Sequence, residues 1–129
     1  MRTVTLAVVS LLFAIVPAGC SNPDEPAPGT VDFVVSVDGE RFVLRLTDAA
    51  TIQLAEENRL GRNQRFPLGP LRQGHGGFNS PWSWHFDPAE TRMVDAAIEQ
   101  CDGRPSYVEA HRSDFPTYCP WGARVVERR

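Results

Sequence analysis

A β-hairpin is the sequence feature that most constrains how this chain can fold. Two runs rich in β-branched and aromatic residues, Val31–Val37 and Glu40–Leu46, are joined by Asp38-Gly39. A two-residue type I′ turn needs a positive φ at both of its central residues, and Asp-Gly is one of the pairs that adopt it readily. The sequence therefore predicts two antiparallel strands in a defined register, against which the rest of the chain must pack.

A helix and a short strand are predicted after the hairpin. Thr47 or Asp48 can cap a helix that runs to about Arg59, and Gly61 is suited to end it. The apolar stripe that should pack on the sheet consists of Ala49, Ile52, Ala55 and Leu60. The segment 63–79 is rich in glycine and proline, so it has room for only one short strand near 64–71, which its prolines place at a sheet edge.

The stretch PWSWHFDP, residues 81–88, is predicted to be a core strand. Alternation directs one set of side chains inward, namely Trp82, Trp84 and Phe86. The other face then carries Ser83, His85 and Asp87. Residues 94–101 are predicted to form the next strand and to pair with this one, with Val94, Ala96 and Ile98 inward.

The last part of the chain predicts a short helix and a final strand. Ser106 and Glu109 have the spacing of a capping box, which marks a helix start. Residues 121–127 follow as a strand, with Ala123 and Val125 on its inner side. The patterns together predict one α+β domain over residues 31–129, with a small antiparallel sheet of about five strands, one main helix and one short helix.

The first nineteen residues have the pattern of an export signal. Arg2 is their only charged residue, and the apolar run from Val4 to Val16 is too short to span a membrane. Ala18-Gly19-Cys20 is similar to a bacterial lipobox, which predicts a lipoprotein signal peptide over residues 1–19 and a diacylated Cys20. The alternative is a signal peptidase cut after Ala18, which would release a soluble protein.

The predicted location follows from this leader. Residues 20–30 contain three prolines and no apolar periodicity, so they are expected to be a flexible tether. The domain would then be exported and anchored to the cell envelope through the lipid on Cys20. Because Ser21 rather than an acidic residue follows the cysteine, we expect the outer membrane where the host has two membranes. Secretion as a soluble protein is the alternative.

The chain has three cysteines, so in an exported protein one of them is left over when two form a disulfide. Once Cys20 is acylated, Cys101 and Cys119 remain, and an oxidising compartment favours a disulfide between them. The alternative is a metal-binding pair, but their spacing matches no zinc pattern and no CxxC accompanies them.

Composition excludes one class of partner. Hydrophobic residues make up 42% of the chain and charged residues 22%, which is ordinary for a globular domain. The net charge is −3, and all thirteen basic residues are arginines that form no basic cluster. A nucleic-acid partner is therefore not expected. No motif indicates a metal or an organic cofactor, and we expect a monomer.

From Phe42 to its end, the chain resembles the small exported domains of the BP-seventy-four N-terminal domain family. The matching segments are FVLRLTD at 42–48, PWSWHFDP at 81–88, AIEQCDGRPSYVE at 97–109 and CPWGARVVE at 119–127. The resemblance implies an exported α+β domain with a disulfide between Cys101 and Cys119, found in bacterial lipoproteins and in secreted proteins. It carries no catalytic residue over to this chain.

Two function hypotheses follow. The first is a membrane-tethered, non-catalytic binding or interaction domain for an unidentified envelope or extracellular ligand or protein. Its candidate ligand-binding residues are His75, Phe78, His85 and Trp121. The alternative is a small hydrolase or metal-dependent enzyme that uses His85, Asp87 and Glu99, since neighbouring strands could align an imidazole with carboxylates. No serine or cysteine nucleophile in a recognised turn completes that set.

Overall fold

The structure is a computed structural model that describes Gly19, residues 27–98 and residues 100–129. The predicted signal peptide apart from Gly19, the lipidation site Cys20 and residues 21–26 lie outside the described residues. None of the described helices is long and apolar enough to cross a membrane. In chain order the described elements are β1 (Val31–Val37), β2 (Glu40–Leu46), α1 (Ala49–Arg59), β3 (Phe66–Gln73), β4 (Trp84–Phe86), β5 (Arg92–Val94), α2 (Pro105–Ala110), a 3-10 helix (Arg112–Asp114), β6 (Thr117–Tyr118) and β7 (Arg124–Arg128).

The predicted hairpin is confirmed, and it forms most of the first sheet. β1 pairs with β2 from Val31 opposite Leu46 to Val37 opposite Glu40. Asp38 and Gly39 have φ values of 49° and 84°, as the predicted turn requires. β7 pairs antiparallel with the other edge of β1, which gives the strand order β2-β1-β7.

The second sheet is arranged around β3, so the predicted edge position of this strand is wrong. Successive short segments of β3 pair with β5, β6 and β4, each over two or three residues. Proline has no backbone N–H to donate to a neighbouring strand. Because β4, β5 and β6 each pair with only two or three residues of β3, few such donors are needed. The backbone of Pro70 still takes part, because its carbonyl accepts a hydrogen bond from Asp87 N at 2.9 Å. The predicted single sheet of about five strands is therefore two sheets.

Helix α1 begins and ends where the sequence predicts. Asp48 Oδ2 accepts hydrogen bonds from the amide and the hydroxyl of Thr51, at 2.9 and 2.7 Å. The predicted apolar stripe is only partly correct, because Leu60 is 47% exposed while Thr51 and Asn58 are buried. Asn58 is satisfied in the interior: its Oδ1 accepts from Val125 N at 2.9 Å and its Nδ2 donates to Arg65 O at 2.8 Å.

The strand predicted over residues 94–101 is wrong. β5 ends at Val94 and pairs with β3 instead of β4. Met93 is buried, whereas Ile98 is 99% exposed. Val94 and Ala97 still pack against the core, but β3 lies between β4 and β5, so the segment cannot pair with β4 as predicted.

The short helix α2 is present, but the predicted capping box is not. The helix begins at Pro105, with Arg104 at the N-cap and no side-chain cap. The amide and hydroxyl of Ser106 instead donate to the carboxylate of Glu40, both at 2.7 Å. Glu109 accepts a hydrogen bond from Ser83 N at 3.1 Å. Tertiary contacts therefore engage both side chains of the predicted box.

The core strand predicted in PWSWHFDP is confirmed over Trp84–Phe86. Trp84 and Phe86 are fully buried, and they join Phe42 and Tyr118 in one aromatic cluster with ring centroids 5.4 to 6.4 Å apart. Trp82 is partly buried against this core, and its Nε1 donates to Arg41 O at 2.8 Å. The cluster packs the first sheet on the second.

Candidate functional site

A surface groove of about 520 Å³ lies between residues 97, 98, 100 and 102 on one side and α2 and the chain that follows the disulfide on the other. A smaller groove of about 230 Å³ lies beside it, and the two share Trp121 and Ala97. The side chains that give the larger groove its chemistry are Ile98, Gln100, Asp102, Tyr107, Asp114 and Trp121. Trp121 therefore stands between two depressions of the surface.

A disulfide between Cys101 and Cys119, as predicted, ties the two walls of the larger groove together, with their Cα atoms 5.1 Å apart. Three hydrogen bonds reinforce this link: Cys119 N to Cys101 O at 2.8 Å, Tyr118 Oη to Gly103 O at 2.7 Å, and Trp121 N to Asp102 Oδ1 at 2.9 Å. Burial raises the pKa of Tyr118 far above its usual range, so its hydroxyl remains a donor. The walls are thus held in place without a ligand.

Two large aromatic side chains are half exposed at this groove. The exposed fraction is 54% for Trp121 and 51% for Tyr107. Tyr107 is held by stacking on His111, with 4.1 Å between ring centroids, and by an edge contact with the buried Phe115. Large aromatic rings that reach solvent are well suited to contact a ligand.

The groove also carries negative charge. Asp102 and Asp114 are exposed, and no described residue forms an ion pair with either carboxylate. No arginine is among the described residues that line the groove. Other carboxylates of the domain do have arginine partners, for example in the pairs Asp32–Arg45, Glu56–Arg59, Asp95–Arg65 and Asp87–Arg72.

His85 and Asp87 of the enzyme hypothesis are engaged with neighbouring groups. His85 Nδ1 lies 2.7 Å from Gly74 O. Asp87 Oδ2 accepts from Arg72 Nε at 2.8 Å, and its Oδ1 accepts from the amides of residues 89 and 90. The Arg72 guanidinium holds the pKa of Asp87 below its usual range. Glu99 lies outside the described residues, and the strand pairing expected to bring it alongside is not formed.

The remaining ligand-binding candidates fall in two places. His75 Nδ1 accepts a hydrogen bond from Gly77 N at 3.0 Å, within its own turn. Phe78 contacts His85 edge to face, with 5.3 Å between ring centroids. Trp121 lies at the groove. Among the described residues, no group of three or more His, Cys, Asp or Glu side chains could hold a metal ion.

Three groove residues, Asp102, Tyr107 and Asp114, are not predicted as site residues from the sequence. Tyr107 lies within the apparent capping box, Asp102 stands before a glycine as turn-forming residues do, and Asp114 belongs to no motif. The one available signal is the order Cys101-Asp102 and Cys119-Pro120-Trp121, because a disulfide between these cysteines brings the residues that follow them close together.

Comparison with known proteins identifies the domain. The family model of the BP-seventy-four N-terminal domain matches residues 29–129. A search of curated proteins found no match, and neither did a search of solved structures. The match includes both sheets, the disulfide and the groove beside Trp121. The chain therefore belongs to the BP-seventy-four N-terminal domain family.

Proposed function

We propose that this protein is an exported, non-catalytic binding domain and that the groove beside Trp121 is its ligand-binding site. The observation that carries the proposal is that Trp121 and Tyr107 stand half exposed at a groove whose walls are tied by a disulfide. Covering their apolar surface releases ordered water and favours association. Because the walls are already in place, little ordering entropy opposes binding. The volume falls within the range of small-ligand and side-chain pockets.

Nuclear magnetic resonance can locate the binding site directly. In a screen of small neutral, apolar, cationic and anionic probe molecules, we expect those that bind to shift signals mainly at the Trp121 indole N–H and at the amides of Gln100 and Gly103. The indole N–H signal that disappears in the Trp121→Phe variant is that of Trp121. The indole N–H of Trp82, which donates to Arg41 O, is an internal control. Shifts that cluster around Phe78 and His85 instead would place the site elsewhere, and scattered shifts would contradict a built site.

The domain is held at the cell envelope by a lipid on Cys20. The support is the leader pattern, the Ala18-Gly19-Cys20 motif and the proline-rich tether that follows it. The disulfide is compatible with export. Its ligand would then be an envelope or extracellular molecule, reached by a monomer on a flexible tether.

Metabolic labelling tests the anchor. We expect a radioactive fatty acid to label the wild-type protein in its native host and to leave Cys20→Ala unlabelled. Where the host has two membranes, the labelled protein should fractionate with the outer one. An unlabelled protein in the medium that begins at Gly19 would establish soluble secretion instead.

A further inference from the structure

Arg45 shows how this domain holds an arginine between a carboxylate and an aromatic ring. Arg45 donates to both oxygens of Asp32, each at 2.8 Å. Its guanidinium carbon lies 4.4 Å from the centre of the Phe78 ring. A planar guanidinium can use both partners together, since its edge donates hydrogen bonds while its face stacks on a ring.

The groove beside Trp121 presents the same kinds of partner without an arginine. Asp102 Oδ1 accepts from Trp121 N, while its second oxygen has no hydrogen-bond partner among the described residues. Asp114 has neither an ion pair nor a side-chain hydrogen bond within the same residues. Trp121 and Tyr107 add half-exposed rings to the groove that these carboxylates line.

We propose that the groove binds an arginine side chain presented by a partner polypeptide. This inference rests on the proposed function, because it names the ligand class of the same groove. Charge complementarity favours a cation, since two carboxylates and no described arginine line the groove. The free carboxylate oxygens favour a hydrogen-bond donor over a quaternary ammonium, which has no N–H to donate. The aromatic rings favour the flat guanidinium over the compact, strongly hydrated ammonium of lysine.

The smaller groove indicates that the arginine is part of a peptide. It continues beyond Trp121 and is lined by the apolar Phe66, Ala96 and Ala97, with Asp95, whose carboxylate is paired with Arg65, as its charged residue. An apolar side chain next to the arginine could occupy it while the arginine occupies the larger groove. An arginine followed by leucine is therefore the simplest peptide probe.

The decisive comparison uses two capped peptides, acetyl-Gly-Arg-Leu-Gly-amide and the same peptide with citrulline in place of arginine. Citrulline has the shape of arginine but no charge. Titration is followed at the Trp121 indole N–H signal. We expect the citrulline peptide to bind at least about fivefold more weakly, and added salt to weaken only the arginine peptide.

Variants of the protein test the carboxylates. The double variant Asp102→Asn with Asp114→Asn should lose about fivefold or more in affinity for the arginine peptide and nothing for the citrulline peptide. The amide oxygen introduced by Asp102→Asn can still accept the hydrogen bond from Trp121 N, so the backbone at Trp121 should stay in place. Glu127→Gln is the matched control, because it removes a carboxylate that is paired with Arg129 and does not line the groove.

Three results would overturn this inference. Equal binding of the two peptides, or an undiminished affinity in the double variant, would exclude an arginine site while the proposed binding function stands. Shifts at Trp121 with choline but not with the arginine peptide would assign the groove to a quaternary ammonium instead. If no probe of any charge perturbs the groove, the inference and the proposed function both fail.

Discussion

Asn79 joins the two sheets through a single buried side chain. Its Oδ1 accepts a hydrogen bond from Val43 N on β2, and its Nδ2 donates to Trp84 O on β4, both at 2.7 Å. The side chain is fully buried, so water does not compete for these groups. Only an amide offers a donor and an acceptor in this shape at once, since a carboxylate cannot donate and an aliphatic group can do neither.

Removing this amide should destabilise the whole domain. We expect Asn79→Ala to lower the free energy of unfolding by about 2–5 kcal/mol, because two buried backbone groups lose their partners. Denaturant unfolding followed by tryptophan fluorescence measures the change. Gln53→Ala, which truncates an exposed amide on α1, should stay within about 0.5 kcal/mol of wild type. An Asn79→Ala protein as stable as that control would show that the two hydrogen bonds of Asn79 contribute nothing to the free energy of unfolding.

At the scale of elements, a side chain of the hairpin accepts hydrogen bonds from the first turn of α2. This helix has only six residues, too few to be stable by itself. The carboxylate of Glu40, at the start of β2, accepts both donors of Ser106 in the first turn of the helix. The hydrogen bond from the Ser106 hydroxyl, and after it the one from the Ser106 amide, hold the pKa of Glu40 below its usual range. One wall of the groove thus depends on a strand of the first sheet.

The contact between Glu40 and α2 should make stability depend on pH. Because the folded protein lowers the pKa of Glu40, this stabilisation is present above the ordinary glutamate pKa of about 4.3 and is lost as the pH falls below it. We expect Glu40→Gln to lower the melting temperature at about pH 7, and the difference from wild type to shrink towards about pH 3.

Ser106→Ala provides the control for this prediction. In that background the effect of Glu40→Gln at neutral pH should be smaller, because one of the two donors to the carboxylate is already gone. A melting difference that is the same at both pH values would contradict the assigned role of Glu40.

At the scale of the molecule, the aromatic cluster holds the second half of the chain on the first, and the disulfide closes a loop within the second half. Tyr118 belongs to the cluster and precedes Cys119, so the core and the disulfide restrain the same short segment. The bridge spans 18 residues of sequence, and closing a loop of this size stabilises a domain by roughly 3 kcal/mol in the chain-entropy account.

Loss of the disulfide should lower both stability and order at the groove. We expect Cys119→Ser, and the double serine variant with Cys101→Ser, to melt roughly 10 °C or more below wild type. Calorimetry measures this, and wild type in reductant should match the double variant. The Trp121 indole signal should broaden or shift in each case. An unchanged melting temperature after confirmed reduction would mean that the bridge adds no net stability.

The sequence alone determined the elements whose evidence is local. The β1–β2 hairpin follows from Asp38-Gly39, the start of α1 from Asp48, and the burial of Trp84 from strict alternation, and the structure has all three. Each depends on conformational preferences or periodicity within a few residues. The disulfide was also predictable, because acylation of Cys20 would leave only Cys101 and Cys119 to pair.

Only the tertiary structure decided which surfaces meet. The central position of β3 depends on three strands that approach different parts of it, and Ser106 bonds to Glu40 because the hairpin packs beside α2. No local pattern contains that information, since each of these contacts joins residues far apart in sequence. The groove has the same origin: Asp102 and Trp121 become neighbours only when the bridge closes and the helix packs. Residue order indicates that Asp102 and Trp121 each follow a cysteine of the disulfide, but the groove that they line arises only from the packing of distant segments.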